Sequence, residues 1–449
     1  MNFIDTSKMF AVKKFTCKKN FQIQIKLVFY LINTSVPCLY PLLYSMKSLR
    51  FKRSSTQEVD LTALKFWYNF WYVKFSTSFC ESFYSSSYNL EMIKNEIDNF
   101  IVYLENNRNF NENIITLRNN ENVNYDTLSR RVCSFLDFYS FMVDEYLNIY
   151  TQPQLTTKEI FEITKKIKKY IKNKKKLVKK FSGATRTVKD NKAPILKSMD
   201  YELLMNLYSI IAPNNLSRKN KLNPFKTNDA QLRNFIIIHL MLNYGLRVGE
   251  LMLLTTKSFK KIIGKDKYTL IITNTDDEYD DRSRKPNIKN DFSYRILELD
   301  KRDFNFLEIY KDNIRNNISS EILFTSLKSS YSPLSYSSFH KIVDELGAKL
   351  RSIAPEYFDE KNHYSIENFT PHTCRHTWAY MMLSDAFENY SVTNKYTKEE
   401  ALDLAQEDLR TLGGWSPNSP MPMYYGKRFL VERANFMNLA RIRKLNIKF

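Results

Sequence analysis

Thr370-Pro371-His372-Thr373-Cys374-Arg375-His376-Thr377-Trp378 decides how the chain is read. Thr370 suits the position just before a helix, where its hydroxyl accepts a backbone N–H. Pro371 suits the first helical position, where a missing N–H costs nothing. His372 and Arg375 stand three residues apart, so they share one face near the helix start. Free backbone N–H groups and the positive end of the helix dipole point the same way, which suits a phosphate. A capped core helix whose His and Arg are satisfied by neighbours has the same local pattern. The stretch therefore needs partners elsewhere.

The composition says what those partners serve. The 449 residues hold 68 Lys+Arg against 48 Asp+Glu, a formal net charge of +20. Such an excess favours a polyanion, nucleic acid before anionic membrane. At this length roughly three domains can each bury a core. Cys17, Cys38, Cys80, Cys133 and Cys374 are scattered without C-x-x-C spacing, which argues against a zinc site and a disulfide framework and for a reducing compartment. The 8 glycines and the lack of a phosphate-loop motif argue against a nucleotide-hydrolysing motor. No metal and no cofactor is expected.

Residues 1–56 read as an N-terminal extension of unassigned role. Leu27 to Met46 is apolar, but Asn33, Thr34, Ser35, Pro37 and Pro41 interrupt it. A membrane span wants ~20 mostly apolar residues, so a packed or disordered extension is expected and no membrane partner. Over 57–182 the pattern is helical. Leu61, Leu64, Trp67 and Phe70/Trp71 fall at helix spacing, as do Val132, Phe135, Phe138/Tyr139, Met142 and Tyr146, with a polar break over 106–125. Lys158 to Lys180 then carries eleven lysines and two acids around Ile160, Ile163, Ile167, Ile171 and Leu177. This one-sided amphipathic run suits the DNA backbone through Lys165, Lys168, Lys169, Lys172, Lys175 and Lys176, or a nuclear localisation signal. Residues 183–194 have linker composition.

From 195 to 449 the chain reads as a larger α+β unit. Asp200 caps a helix to Ile211; Asp229 to Tyr244 is an apolar helix ended by Gly245; residues 247–254 restart helix. Tyr268–Thr273 and Ser293–Leu299 read as an antiparallel pair around a polar loop. Helices follow, one running from near Thr397 to Gly413-Gly414. The fold class is mainly α with a small antiparallel sheet.

Four further stretches fit the opening helix. In Gly245-Leu246-Arg247-Val248-Gly249-Glu250-Leu251, Glu250 can hold Arg247 so that its fork faces an anion. The loop from Asp276 to Phe292 offers Lys285 and Lys289, and a lysine on a flexible hairpin can donate a proton. Trp415, in Leu412-Gly413-Gly414-Trp415, brings an indole N–H that suits a phosphate oxygen. Tyr424-Tyr425 brings phenols. An unperturbed phenol keeps its proton to about pH 10, but arginines and an oriented His favour the phenolate.

In this order the motifs resemble the tyrosine recombinases, the phage-integrase-type site-specific recombinases, over about 195–430. The preceding helical unit is similar in position and type to that family's core-binding domain. The resemblance implies that Arg247 and Arg375 clamp a scissile phosphate, with Glu250 orienting Arg247. It gives Lys289 the role of general acid, with Lys285 the alternative, because Lys289 keeps the family's register to Arg295. His372 would contact the phosphate and accept or relay a proton. Trp415 stands where many members have His. Tyr424, nine residues after Trp415, would be the nucleophile, with Tyr425 the alternative. His376 would support or pack. Two departures are a long acidic lysine loop and an apparent surface insertion over 384–400.

The activity so implied is site-specific DNA recombination or integration through a 3′-phosphotyrosine. The alternatives are relaxation of DNA in the manner of type IB topoisomerases and a non-catalytic DNA-binding or packaging role on the same fold. The expected partners are double-stranded DNA and, through the C-terminal tail from Phe429, three further copies in a homotetramer. The expected location is intracellular with the DNA, nuclear in a eukaryotic host and cytoplasmic otherwise. Base composition and Trp415 are similar to members in mobile elements and large DNA viruses.

Overall fold

The structure is a computed structural model. It describes residues 9–19, 22–31, 36–106, 124–151, 155–189, 197–213, 219–275, 277–282, 284–288, 290–315, 319–327, 331–359, 361–362, 364–392 and 395–444. The chain divides into two compact units, residues 1–191 and 192–449.

The first unit begins with antiparallel strands β1 (Phe10–Lys19) and β2 (Gln22–Leu31). Helices α1 (Leu39–Lys47), α2 (Ser54–Phe75), α3 (Phe79–Ser85), α4 (Leu90–Asn95), α5 (Ile97–Glu105), α6 (Tyr125–Thr151) and α7 (Thr157–Lys189) follow. Its core is aromatic. Trp67 of α2 stacks on Phe135 of α6 at 3.9 Å between ring centroids, and Phe79, Phe100 and Phe70 pack around Trp67. The helix-spaced aromatics of α2 and α6 line this core, and each fully buried apolar side chain contributes roughly 1.5–3 kcal/mol.

The N-terminal segment belongs to this unit. Phe10 and Phe29 are buried and pack on Tyr68, while Tyr40 and Tyr44 of α1 enter the same core. The apolar run from Leu27 is therefore a strand followed by a helix that starts at Leu39. Among the described residues no helix is long and apolar enough to cross a membrane.

Two sequence expectations about α7 need correction. The helix continues through Lys189, so the stretch expected as a linker from 183 is helical to that point; 190–194 lie outside the described residues. Leu177 is 60% exposed and Val178 is buried in its place, because the apolar face of Ile167 and Ile171 recurs at 178. Lys165, Lys168, Lys169, Lys172 and Lys176 are exposed and Lys175 is half-buried. Lys168 pairs with Asp144 at 2.7 Å and Lys175 pairs with Asp137, both on α6.

The second unit contains α8 (Tyr201–Ile211), α9 (Asn228–Asn243), α10 (Val248–Leu251), β3 (Phe259–Lys261), β4 (Tyr268–Ile272) and β5 (Arg295–Leu299). After these come α11 (Lys301–Tyr310), α12 (Tyr336–Ile353), α13 (Pro371–Val392), α14 (Lys398–Leu412), α15 (Met421–Tyr425) and α16 (Lys427–Lys444). Helix α9 is the axis of its core: Phe235 to Leu242 is buried residue after residue, and the helix packs on α8, α10, α11 and α13. The sheet is antiparallel in the order β3-β4-β5, with Tyr268 opposite Leu299, Leu270 opposite Leu297 and Ile272 opposite Arg295. Alternation turns Tyr268, Leu270, Ile272, Leu297 and Leu299 into the core.

The helix after Arg247 is a single turn, shorter than the 247–254 expected. The 384–400 stretch expected as a surface insertion is largely the end of α13 and the start of α14, with Ala386 buried. Among the described residues of the acidic loop after β4, Asp277, Asp280 and Arg282 are held by hydrogen bonds. Arg282 is buried, pairs with Asp280 and donates to the carbonyls of Met252 and Leu334. Asp277 accepts from Ser320 and from the Glu321 backbone.

Candidate active site

The site begins where α9 stops. Gly245 has φ +60°, a left-handed conformation that glycine adopts without penalty, and a Cβ there would lie 2.3 Å from ring carbons of Trp378. The turn delivers Arg247 to the start of α10. Glu250 accepts the Arg247 backbone N–H at 3.0 Å and also pairs with its guanidinium. Arg295, the first residue of β5, donates Nη2 to the same carboxylate at 2.9 Å. Glu250 is 2% exposed. Burial pushes its carboxyl up, but Arg295 and Arg247 outweigh that and hold it below the usual carboxylate range.

The opening stretch folds as its residues dictate. The Thr373 N–H donates to Thr370 Oγ1 at 3.2 Å and Pro371 starts α13. One turn on, Arg375 is 2% exposed. Its Nη1 donates to the Gly245 carbonyl and its Nη2 to the Gly413 carbonyl, the latter at 2.6 Å. Trp415 covers it, with Cζ 4.4 Å from the ring centroid. Burial and the neighbouring Arg247 push its guanidinium down to about 9.

Gly414, at φ +60°, lets the chain pass so close to β5 that a Cβ would lie 2.9 Å from the Ser293 Cα and the Arg295 Nη1. Arg247 then closes the group, donating to Ser293 Oγ at 3.2 Å and to the Gly414 carbonyl at 3.3 Å. Arg247 and Arg295 share the carboxylate of Glu250, and Arg375 feels it only electrostatically, so three guanidinium groups face one carboxylate and leave two positive charges in excess. Such a cluster is relieved by an added anion.

His372, in the first turn of α13, is exposed, and His376, one turn later, is 4% exposed. The His376 Nδ1–H donates to the Tyr425 carbonyl at 3.4 Å, and its ring lies 4.3 Å from that of Tyr425 and 5.5 Å from that of Tyr424. Burial pushes the imidazole down to about 4, which makes it neutral at physiological pH. Tyr425 also packs on Trp415 at 5.3 Å. Tyr424 is 47% exposed, and its hydroxyl oxygen accepts from Lys197 Nζ at 2.7 Å.

The fold therefore brings Arg247, Glu250, Arg375, Trp415, His376 and Tyr425 together, with Tyr424 beside His376. Lys285 is half-buried in the loop between β4 and β5, and Lys289 lies outside the described residues. Beside that lysine, the Ile288 N–H donates to Asn274 Oδ1 at 2.9 Å.

Sequence reasoning missed Arg295, Ser293 and Lys197 as members of the site. Arg295 served only as a register mark, although an arginine opening the strand after the lysine loop was a signal. Also missed is the buried network behind the turn, where Tyr244 donates to Asp303 at 2.6 Å and His239 bonds the other Asp303 oxygen at 3.0 Å. In the tail, Phe429 is buried, whereas Phe436, Leu439 and Ile442 of α16 are exposed.

Residues 217–397 match the model of the phage integrase family. No curated protein matches the chain. Among solved structures, the XerH site-specific recombinase bound to palindromic difH substrate, a post-cleavage complex, is similar at 17% identity and a TM-score of 0.33, over 70% of this chain and 78% of that one. The XerH pre-cleavage complex with difH substrate is similar at 15% identity and a TM-score of 0.32, over 76% of this chain and 94% of that one. Trp415 and Tyr424 lie beyond the matched segment, which holds Arg247, Glu250, His372 and Arg375. Through that segment the chain is similar to the phage integrase family.

Proposed function

We propose that the protein is a site-specific DNA recombinase that cuts and rejoins strands through a covalent 3′-phosphotyrosine. The observation that carries this reading is the excess of positive charge where Arg247, Arg295 and Arg375 gather around Glu250 under Trp415. A phosphodiester supplies the missing negative charge, and more of it as a pentacovalent phosphorus forms.

Tyr424 Oη attacks the phosphorus in line. The O–P bond forms as the bond to the 5′ oxygen breaks, His372 takes the phenol proton, and Lys289 protonates the leaving oxygen, with Lys285 as the alternative donor. The products are a 3′-phosphotyrosine and a free 5′-hydroxyl. The reverse reaction with the 5′-hydroxyl of another strand reseals the backbone. Arg247 and the Trp415 indole face the phosphate oxygens. Arg375 acts from behind, because its terminal nitrogens already serve the Gly245 and Gly413 carbonyls and its charge is what reaches the substrate. These roles need the protein's own side chains alone, without a metal.

DNA is held largely through phosphate contacts, to which the exposed lysines of α7 contribute. The exposed Phe436, Leu439 and Ile442 of α16 suit packing on another copy within a tetramer.

The deciding experiment uses duplex DNA nicked near the cleavage position, so that the released fragment diffuses away and the adduct is trapped. Sequencing of the trapped DNA gives the site. Absence of any adduct sinks the enzymatic reading and leaves DNA binding without catalysis. An adduct with relaxation of supercoils but no exchange between paired sites favours topoisomerase-like action.

A further inference from the structure

We propose that Lys197 is a positioning residue for the nucleophile, holding the Tyr424 hydroxyl and stabilising the negative charge that develops on its oxygen as the proton leaves. The inference rests on the reading of Tyr424 as nucleophile and deepens it. No motif singled out Lys197, which stands at the start of the second unit, 227 residues from Tyr424 in sequence.

The contact is specific. Lys197 Nζ lies 2.7 Å from the Tyr424 hydroxyl oxygen and 5.1 Å from its ring centroid. A lysine ammonium only donates, so the phenol oxygen is the acceptor, and a hydrogen bond from a cation strengthens as that oxygen gains charge. The guanidinium groups are engaged elsewhere: Arg375 lies over Trp415 and Tyr425, and Arg247 over Trp415. On α13, the neutral His376 lies within electrostatic reach of Lys197, His372 and Arg375.

An exposed Lys–Tyr contact on a mobile chain is worth little, since two flexible side chains must be ordered. Here the backbone beneath Lys197 is fixed. Ser198 is buried, and its carbonyl accepts from Arg428 Nη1 at 2.9 Å. The Met199 N–H donates to Thr377 Oγ1 on α13 at 2.9 Å. Asp200 caps α8 through one oxygen and accepts from Arg428 Nη2 at 3.2 Å through the other. Arg428 sits four residues after Tyr424 and is held in turn by Glu432 at 2.7 Å. One buried arginine therefore fixes the chain segments that carry both partners. Rigid support of this kind turns a weak surface contact into a means of orientation.

The test compares native protein with Lys197→Met and Lys197→Arg. At saturating nicked duplex, Lys197→Met is expected to form adduct 10- to 100-fold more slowly, with DNA affinity and its salt dependence unchanged, and Lys197→Arg is expected to recover most of the rate. An unchanged adduct rate overturns the proposal. So does a loss confined to binding with a salt slope lower by about one, which makes Lys197 a phosphate contact. A second measurement needs no DNA chemistry. O-acetylation of Tyr424 by N-acetylimidazole, located by mass spectrometry in the protein alone, is expected to be several-fold slower in Lys197→Met; equal rates overturn the proposal. If native protein forms no adduct, the recombinase reading fails while the acetylation rates still decide the role of Lys197.

Discussion

The guanidinium of Arg375 lies 4.4 Å from the ring of Trp415, and its two terminal nitrogens reach the carbonyls that end one helix and the turn after another. A side chain that links the Gly245 turn to Gly413 is both a charge for the substrate and a strut for the site. A lysine cannot replace it, because a single ammonium does not span both carbonyls in a planar fork. Arg375→Lys is expected to slow adduct formation by about two to three powers of ten. It should also destabilise the fold by roughly 1–3 kcal/mol, through an orphaned buried carbonyl. Trp415→Phe keeps the stacking surface and loses the indole N–H, so its rate should fall while its denaturation midpoint stays near that of the native protein. Equal stability losses in the two variants would count against the strut.

Tyr424 and Tyr425 are adjacent in sequence and opposite in setting. Tyr425 is packed between His376 and Trp415, whereas Tyr424 is 47% exposed and holds Lys197. Tyr424→Phe should abolish the covalent adduct. Tyr425→Phe keeps the ring stack and should retain adduct formation within about tenfold, the scale of a repositioned rather than missing group. An adduct mapped to Tyr425 in the native protein would reverse the assignment.

The lysines of α7 should not contribute equally to DNA binding. Lys168 and Lys175 already have carboxylate partners in Asp144 and Asp137, so engaging a phosphate means breaking an ion pair. Replacing Lys165, Lys169, Lys172 and Lys176 by Gln should lower the slope of log affinity against log salt by roughly 3–4, at about 0.9 per phosphate contact. The Lys168→Gln, Lys175→Gln double variant should change it by less than one. Filter-binding titrations across salt concentrations check both.

The second unit was legible in the sequence where local signals and tertiary packing agree. Thr370, Pro371, Asp200, Thr397 and Gly413-Gly414 mark helix ends through their own chemistry, and β4 and β5 show as runs of β-branched or aromatic residues, whereas the three-residue β3 gave no such run. Long-range partners were illegible. Nothing near Arg295 announces that it shares Glu250 with Arg247, and nothing near Lys197 announces Tyr424. The N-terminal segment misled for a related reason. Phe10 and Phe29 are core residues only because Tyr68 is presented to them by α2, a relation that no window on the segment contains.

His376 makes the last case, because its environment fixes the sign of a pH effect. Buried against Tyr425, it releases its proton at about 4, whereas an unfolded chain holds that proton up to 6.5. Between those limits the unfolded state binds more protons, so stability rises with pH and is lost as pH falls from 6.5 toward 4. By pH 5 the loss attributable to this one group is about 2 kcal/mol. His376→Gln retains a donor for the Tyr425 carbonyl and does not titrate. The gap in unfolding free energy between native protein and variant should therefore narrow or reverse between pH 7.5 and pH 5. Parallel urea denaturation at the two pH values measures that gap, and a gap that stays constant would mean that His376 is solvated rather than held neutral against the tyrosine.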